Sequence, residues 1–368
     1  MKKLFNLLAV VAVVLGMASC GDGNNPGKTF QIDLQQIVGA VHITVTPTDN
    51  EAYFFSNYSS VGYIEKDGGA RNYVMNRLHA SYFDELLSDG IICQAKDDYI
   101  GYLKPEERNE DHMIIVCYVE KSEDGYGKII GDVVTKTFKP TDVMPGEFSV
   151  SEDKKVQFAK SNYIETKYGF DIEEDQWYCL GATGPNTPYD LYPWSEGVQQ
   201  FANDFYVPSA DEWWYLFKKR PRADELFAHA TIKTDDDNEV HGLILLPDNW
   251  QTPEGVSLKT SKEMGMEWDE SWQQYIREKY DGYAQNIYTE DQWLNLEFFG
   301  AVFLPAAGLN GRNVNVYGWY WSSSEKSSES DKGYSFAFGR DNVTILVLKA
   351  SPSPKTDNHS IRLVRAVK

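Results

Sequence analysis

Short segments in which apolar residues occupy every second position constrain this chain more than any other feature of its sequence. In Gly39–Pro47 the apolar positions are Val41, Ile43 and Val45, and Tyr334–Phe338 follows the same period. Successive side chains of a strand point to opposite faces of a sheet, so this alternation predicts strands with one buried face. Because such segments recur between clusters of turn-forming residues, we expect the chain to fold mainly as β-sheet.

The first nineteen residues have the order of a secretory signal peptide. A positive start is followed by the apolar run Leu4–Leu15 and by small residues that lead up to Cys20. The apolar run is too short to span a bilayer. The cysteine directly after Met17–Ser19 resembles the lipobox of bacterial lipoproteins, in which the peptidase cuts before a lipid-carrying cysteine. This resemblance implies removal of residues 1–19, acylation of Cys20 as the contact with the lipid membrane, and an outer membrane lipoprotein.

The expected orientation is exposure at the cell surface, although an orientation toward the periplasm stays open. Residues 20–28 are rich in Gly and Asn and predict a flexible tether. The remaining length of about 350 residues suits two domains.

Charge and aromatic content limit the classes of partner. The net charge is -20, and it becomes more negative once Lys2 and Lys3 are removed with the leader. Such an acidic chain is a poor partner for nucleic acid or for anionic lipid surfaces. The 10 Trp and 23 Tyr residues indicate either a rigid aromatic core or surfaces on which sugars stack.

The first predicted domain covers residues 29–143 and is expected to be a β-sandwich. In Met113–Cys117 apolar residues occupy both strand faces, which predicts a central strand covered on each side. The other elements expected here are a strand at Ala52–Phe55 that pairs with Gly39–Pro47, a hairpin of His112–Glu120 and Lys128–Phe138 around Ser122–Gly125, and one helix from Tyr73 to Leu87.

Three segments of this domain, Ile43–Asn50, Tyr102–Pro105 and Val134–Phe138, resemble the fibronectin-III-like or immunoglobulin-like modules of Bacteroidetes surface lipoproteins. The resemblance implies an all-β sandwich that acts as a spacer. The turn after Pro105 is lengthened by Glu106–Glu110, and no tyrosine stands where the tyrosine corner of such sandwiches is expected. A disulfide between Cys93 and Cys117 is left open.

The second predicted domain covers residues 146–368. Ser209–Glu212 and Thr289–Gln292 both have the capping-box pattern and predict the starts of two helices. The strands expected around them are two within Glu147–Ala159, then His241–Pro247, Gly300–Gly308, Tyr320–Ser324, Tyr334–Phe338, Val343–Leu348 and Ser360–Arg365.

Seven segments of this domain, taken in order, resemble the major paralogous domain first described in Fibrobacter succinogenes. They are Val150–Phe158, Val207–Phe217, Gly242–Trp250, Tyr288–Trp293, Gly300–Gly308, Tyr320–Ser324 and Ser360–Arg365. The resemblance implies an α+β C-type-lectin-like fold on a surface lipoprotein. Because one fold hosts many functions, it predicts the architecture better than the ligand.

Little in the second domain points to catalysis or to metal binding. Asp248–Trp250 follows a strand and a proline and is interpreted as a turn, with a Ca²⁺ loop as the open alternative. Thr234–Glu239 is interpreted as a solvated hairpin tip. The formylglycine-generating enzymes share this fold and need a late cysteine pair, whereas Cys179 lies early and alone in its domain. We therefore expect no enzyme, no catalytic residue, no metal and no cofactor.

The surface most suited to a ligand lies in the loops of residues 322–332 and 349–358. Loops on a rigid scaffold commonly carry binding residues, and in C-type-lectin-like folds these loops form the ligand face. Trp321, close to the first loop, is expected to belong to the core. The candidate ligand-facing residues are Ser323, Ser324, Glu325, Lys326, Ser328, Glu329, Lys355, Asp357 and Asn358.

The sequence thus predicts a lipid-anchored surface binding or adhesion protein whose lectin-like module takes an extracellular protein or glycan. One alternative is a structural or fimbrial-tip subunit of the cell envelope. A second alternative, disfavoured by the lone Cys179, is an enzyme of the formylglycine-generating type.

Overall fold

The computed structural model describes residues 29–166, 169–172, 191–201, 204–235, 237–272, 274–277, 281–340, 342–344 and 352–368. The predicted leader, the tether, Cys20 and Cys179 lie outside these residues. The chain forms two compact units, the first ending at Thr141 and the second covering Asp142–Lys368. Strands are the dominant element, so the predicted β-rich fold is confirmed. None of the helices in the described part of the chain has the length and apolar character needed to cross a membrane.

The first unit contains two antiparallel sheets and three short helices. Strands β1, β2 and β6 form one sheet. In the other sheet β7 is the central strand, which pairs with β3 and β4 at different parts of its length and with β8, and β5 pairs with β3. The elements are β1 (Phe30–Ile37), β2 (Ala40–Pro47), β3 (Tyr53–Phe55), β4 (Ser59–Ser60), α1 (Val61–Lys66), α2 (Ala70–Leu78), α3 (Phe83–Ser88), β5 (Ile92–Cys93), β6 (Asp97–Tyr102), β7 (His112–Lys121) and β8 (Gly127–Phe138).

Strand β7 is covered on both faces, as the apolar run Met113–Cys117 predicts. On one face Ile114 and Val116 pack with residues of the smaller sheet, including Ile43. On the other face Ile115 packs with the helices through residues such as Leu78. The smaller sheet, the sheet that contains β7 and the helices thus form three packed layers.

Two expectations for this unit are wrong. Ala52–Phe55 does form a strand, but β3 lies between β5 and β7 in the other sheet, and β1 is the hairpin partner of β2. The single helix predicted from Tyr73 to Leu87 is interrupted after α2. The amide of Phe83 donates to the carbonyl of Gly125 in the β7–β8 turn at 2.9 Å, so Tyr82 is extended and α3 begins anew. The predicted hairpin of β7 and β8 is confirmed.

Cys93 and Cys117 are not joined in a disulfide. Cys93 pairs with Tyr53 on one side of β3, and Cys117 pairs with Phe54 on the other side. The side chain of Cys117 belongs to the cluster under the helices, whereas Cys93 packs against the cluster between the two sheets. The two thiols therefore lie on opposite faces of the sheet, and the disulfide left open by the sequence is not formed.

The second unit contains three sheets and a few short helices. One sheet is built from β9, β10, β11 and β22, a second from β12, β13, β16 and β17, and a third from β14, β15 and β18 to β21. The elements are β9 (Phe148–Ser149), β10 (Lys155–Thr166), β11 (Gly169–Ile172), α4 (Trp194–Gly197), α5 (Ala210–Trp214), β12 (Phe227–Lys233), β13 (Glu239–Leu245), β14 (Glu267–Asp269), β15 (Gln274–Ile276), β16 (Ile287–Thr289), α6 (Glu290–Phe298), β17 (Val302–Pro305), β18 (Tyr317–Glu325), β19 (Lys332–Gly339), β20 (Asn342–Thr344), β21 (Ser353–Pro354) and β22 (Arg362–Ala366).

Both predicted capping boxes are confirmed and fix the starts of α5 and α6. The amide of Glu212 donates to the Ser209 hydroxyl at 3.2 Å, and the Glu212 carboxylate accepts from the Ser209 amide at 2.7 Å. Thr289 and Gln292 make the same reciprocal pair at 3.3 and 3.0 Å. Each cap satisfies two amides that a helix start leaves without partners.

An aromatic core joins α5 to the third sheet. The ring of Trp213 lies 4.4 Å from that of Phe336 on β19, and its indole N–H donates to the carbonyl of Trp321 on β18. Trp321 is fully buried, which confirms its expected place in the core. Helix α5 continues into one π-helical turn, Tyr215–Lys219, which lies directly after Trp214.

Candidate functional site

The first predicted loop connects β18 to β19 at one end of the third sheet. Glu325 pairs with Gly333, so residues 326–332 form the turn beyond this pair. β21 adds to the same end, where Lys332 pairs with Pro354. The structure thus brings Glu325, Lys326, Ser328, Glu329 and Lys355 to one end of one sheet.

Ion pairs brace this turn from within. The Lys355 ammonium lies 2.6 Å from the Glu325 carboxylate and 4.2 Å from the centre of the Trp194 ring. Glu329 accepts from Lys326 at 2.5 Å and contacts Lys332 at 2.6 Å. These two ammonium groups lower the pKa of Glu329 to about 2. The turn therefore presents a charge-balanced, preordered surface to solvent.

The remaining predicted residues have different surroundings. Ser324 accepts a hydrogen bond from the amide of Ala210 at 3.0 Å, and the amide of Ser323 donates to the Pro208 carbonyl, so both serines hold the start of α5. Asp357 and Asn358 are tied instead to Asn310. The Asp357 carboxylate accepts from the Asn310 side-chain amide at 3.0 Å, and the backbone amide of Asn358 donates to the side-chain oxygen of Asn310 at 2.6 Å.

The loop that carries Asp357 and Asn358 is rooted in the core through His359. The His359 ring stacks on Trp321 with a centre-to-centre distance of 3.8 Å and is fully buried. Its backbone pairs with Tyr192 in an isolated bridge. The loop is thus held at both its base and its tip.

Sequence reasoning missed an exposed tryptophan on the β14–β15 hairpin. Trp272 has 67% of its surface exposed. The Asp269 carboxylate at the end of β14 accepts from the amides of Ser271 at 2.8 Å and of Trp272 at 3.0 Å. This Asx-type turn fixes the backbone that carries the indole. A large apolar side chain is therefore held in solvent on an ordered turn.

The base of this hairpin is an aromatic cluster. The Trp268 ring lies 5.7 Å from that of Trp214 at the end of α5 and 5.1 Å from that of Tyr275. The Lys218 ammonium, on the π-helical turn, lies 4.1 Å from the centre of the Trp268 ring. Burial lowers the pKa of Lys218, and Glu270 opposes this shift by its charge. Cation–π and edge-to-face contacts thus join the hairpin to α5.

The strand register points this hairpin toward the end of the sheet that carries the β18–β19 turn, and its base lies level with Ala337, five residues along β19 from Lys332. Gln274, directly after the hairpin tip, pairs with Thr344, and Thr344 pairs with Ala337. From Ala337, β19 runs back toward Lys332 at the turn. We call this end, formed by residues 325–332, 353–355 and 269–272, the loop face.

The carboxylate of Asp248, the residue on which the alternative Ca²⁺ interpretation depends, already contacts other groups of the protein. It accepts from the Ser149 hydroxyl at 2.6 Å and contacts the Arg220 guanidinium at 3.2 Å. Arg220 is fully buried and also donates to the carbonyls of Leu216, Leu246 and Leu226. The triplet is a structural turn, in which the amide of Trp250 donates to the Pro247 carbonyl.

The predicted hairpin tip at Thr234–Glu239 is confirmed, because Lys233 pairs with Glu239 across β12 and β13. Within the described ranges, no three His, Cys, Asp or Glu side chains come together as a group that could hold a metal ion.

Comparisons with known proteins add no further assignment. No family model, no curated protein and no solved structure matches the chain.

Proposed function

We propose that the protein is a lipid-anchored surface protein that binds a glycan or protein ligand at the loop face of its second unit. The fine architecture assumed in this proposal, a C-type-lectin-like module behind a fibronectin-III-like or immunoglobulin-like module, rests on the sequence resemblance. Anchoring through Cys20 to the outer membrane rests on the leader sequence.

The observation that carries the proposal is the ordered, exposed Trp272. An indole offers a flat apolar surface on which a sugar ring or an apolar side chain stacks. Here it stands beside polar groups that can add hydrogen bonds, namely Glu270 and Ser271 on the same turn. Because Asp269 fixes the turn before any ligand arrives, little conformational entropy is lost on binding.

The braced β18–β19 turn supports the same assignment. Lys326 and Lys332 pair with Glu329, and Lys355 pairs with Glu325. Asp331 balances the third lysine of this ordered turn, and Asp269 and Glu270 make the loop face as a whole slightly acidic. Such a surface favours a neutral or weakly charged ligand over a highly charged one. We therefore favour a neutral glycan over an acidic polymer.

The test is a glycan and protein array probed with the purified full-length protein in nonionic detergent. We expect saturable binding to a small set of spots, and loss of that binding in Trp272→Ala. The matched control is Tyr82→Ala, which removes another exposed aromatic ring, 53% exposed, that lies in the first unit. Equal binding by the Trp272 variant, or equal loss in the Tyr82 variant, would contradict the assignment of the face.

A structural subunit makes a different prediction for the same sample. It would be recovered as a polymer under non-denaturing conditions and would bind no spot. Size-exclusion chromatography before the array separates the two outcomes.

A further inference from the structure

The first unit contains a cavity of about 350 Å³ beside the start of β7. Its walls include Tyr58, Tyr63, Glu107, Glu110 and His112, together with two serines of β4. The pairing of β4 with β7 forms one wall, and helix α1 continues directly from β4. Glu107, on the 3-10 turn Pro105–Asn109, and Glu110 add a second part of the wall, and both belong to the stretch Glu106–Glu110 that lengthens this turn.

Hydrogen bonds hold the walls in place without filling the cavity. The Glu107 carboxylate accepts from the amide of Lys104 at 2.8 Å, and the Glu107 carbonyl accepts from Nε2 of His112 at 2.8 Å. The Tyr58 hydroxyl donates to the carbonyl of Tyr102 at 3.1 Å. The cavity is thus preformed from two separate parts of the chain, residues 58–63 and 107–112.

His112 carries a buried acceptor without a partner. Its side chain is 2% exposed, and Nδ1 has no hydrogen-bond partner among the described residues. Since a carbonyl can only accept, Nε2 carries the hydrogen, and in the neutral ring Nδ1 then holds a lone pair. Buried polar atoms normally have partners, and His112 is one of the residues that line the cavity.

The other groups in the cavity match a donor that carries positive charge. Glu107 and Glu110 contribute carboxylates, which only accept. Burial and the charge of Glu107 raise the pKa of Tyr58 to about 12, so this phenol stays neutral. Tyr63, which is 55% exposed, adds an open aromatic ring at the rim. Aromatic faces together with carboxylates attract organic cations.

We propose that this cavity binds the ammonium group of a small alkylamine. An ammonium group donates three hydrogen bonds and accepts none, which matches the carboxylates of Glu107 and Glu110. A neutral polyol would find the same acceptors but would gain neither the charge attraction nor the cation–π contribution. The acidic chain, with a net charge of -20, further raises the local concentration of cations. The first unit is then a binding domain in its own right rather than a spacer alone.

The experiment is a ligand-observed NMR titration of the full-length protein with n-butylammonium chloride, with 1-butanol as the neutral probe of equal shape. We expect saturable binding of the amine and none of the alcohol. Glu107→Gln keeps an oxygen for the Lys104 amide, so the turn is retained while the charge is lost. We expect this change to weaken binding about tenfold and Tyr63→Ala to weaken it about threefold.

Two control variants address charge and aromatic content separately. Glu123→Gln removes an exposed carboxylate from the β7–β8 turn, and Tyr82→Ala removes an exposed ring from the start of α3; both should bind the amine as the wild type does. Unsaturable binding, equal binding of 1-butanol, or equal weakening by Glu123→Gln would overturn the proposal. Because the site lies in the first unit, these outcomes are independent of the Trp272 result.

Discussion

We expect the stability of the second unit to fall in acid, because the loop that carries Asp357 and Asn358 is anchored by His359, a buried neutral histidine. Burial lowers the pKa of His359 to about 3, from 6.5 for an exposed histidine. Between these two values the unfolded chain binds a proton that the folded chain does not. Stability contributed by the neutral ring is therefore complete above about pH 6.5 and is lost as the pH falls toward 3.

The size of the effect follows from the two pKa values. At about pH 5 the unfolded chain gains about 2 kcal/mol from protonation of this ring, whereas at about pH 7.5 it gains almost nothing. His359→Phe keeps a flat ring against Trp321 but removes the titration. When the pH is lowered from about 7.5 to about 5, the wild type should lose about 2 kcal/mol of unfolding free energy in the second unit through this ring. His359→Phe should not show this loss.

The assay is urea unfolding followed by tryptophan fluorescence at both pH values. His359→Leu serves as a second variant, because it also removes the titration and differs in shape. Both variants should show the same reduced pH dependence, whatever their stability at neutral pH. A pH dependence parallel to that of the wild type in both variants would refute the reasoning.

Three further outcomes follow from the described contacts. Asp248→Ala leaves the buried Arg220 guanidinium without its carboxylate and should cost about 3 kcal/mol of unfolding free energy in a urea titration, because Arg220 is buried although Asp248 is partly exposed. A loss below about 1 kcal/mol would show that Arg220 does not depend on this carboxylate. Trp272→Ala should change that free energy by less than about 0.5 kcal/mol, because the indole is mostly exposed; a larger loss would assign it a packing role. Burial raises the pKa of the Cys117 thiol to about 12, so this thiol should react with iodoacetamide only in urea. Mass spectrometry of the native protein should therefore find the label on Cys93 and not on Cys117. Rapid native labelling of Cys117 would contradict its position under the helices.

Local patterns in the sequence predicted the elements whose causes are local. The capping boxes at Ser209 and Thr289 involve residues three positions apart, so the sequence alone contains both partners. The covered strand around Ile115 was equally visible, because burial on both faces removes the alternation of apolar and polar residues.

Elements whose causes are distant were predicted less well. Strand β3 has an ordinary strand pattern, but its partners are chosen by packing against β7, which lies about sixty residues later. The break between α2 and α3 comes from the bond between Phe83 and Gly125, which no local propensity encodes.

The candidate site divides in the same way. The loops at 322–332 and 349–358 were visible from their polar composition, whereas Trp272 was one tryptophan among ten. Trp272 lies in solvent because it is on the turn between β14 and β15 and not on either strand. The Asp269 turn directly before Trp272 is the one local signal that could have identified it.

The most direct test of the account is to apply intact cells that produce the protein to the glycan and protein array. Wild-type cells should be retained on the same spots that bind the purified protein. Cells producing Trp272→Ala should be labelled by an antibody to the second unit yet not be retained, and Cys20→Ser should abolish both labelling and retention. Retention of Trp272→Ala cells, or absence of antibody labelling on intact wild-type cells, would contradict a displayed ligand-binding face.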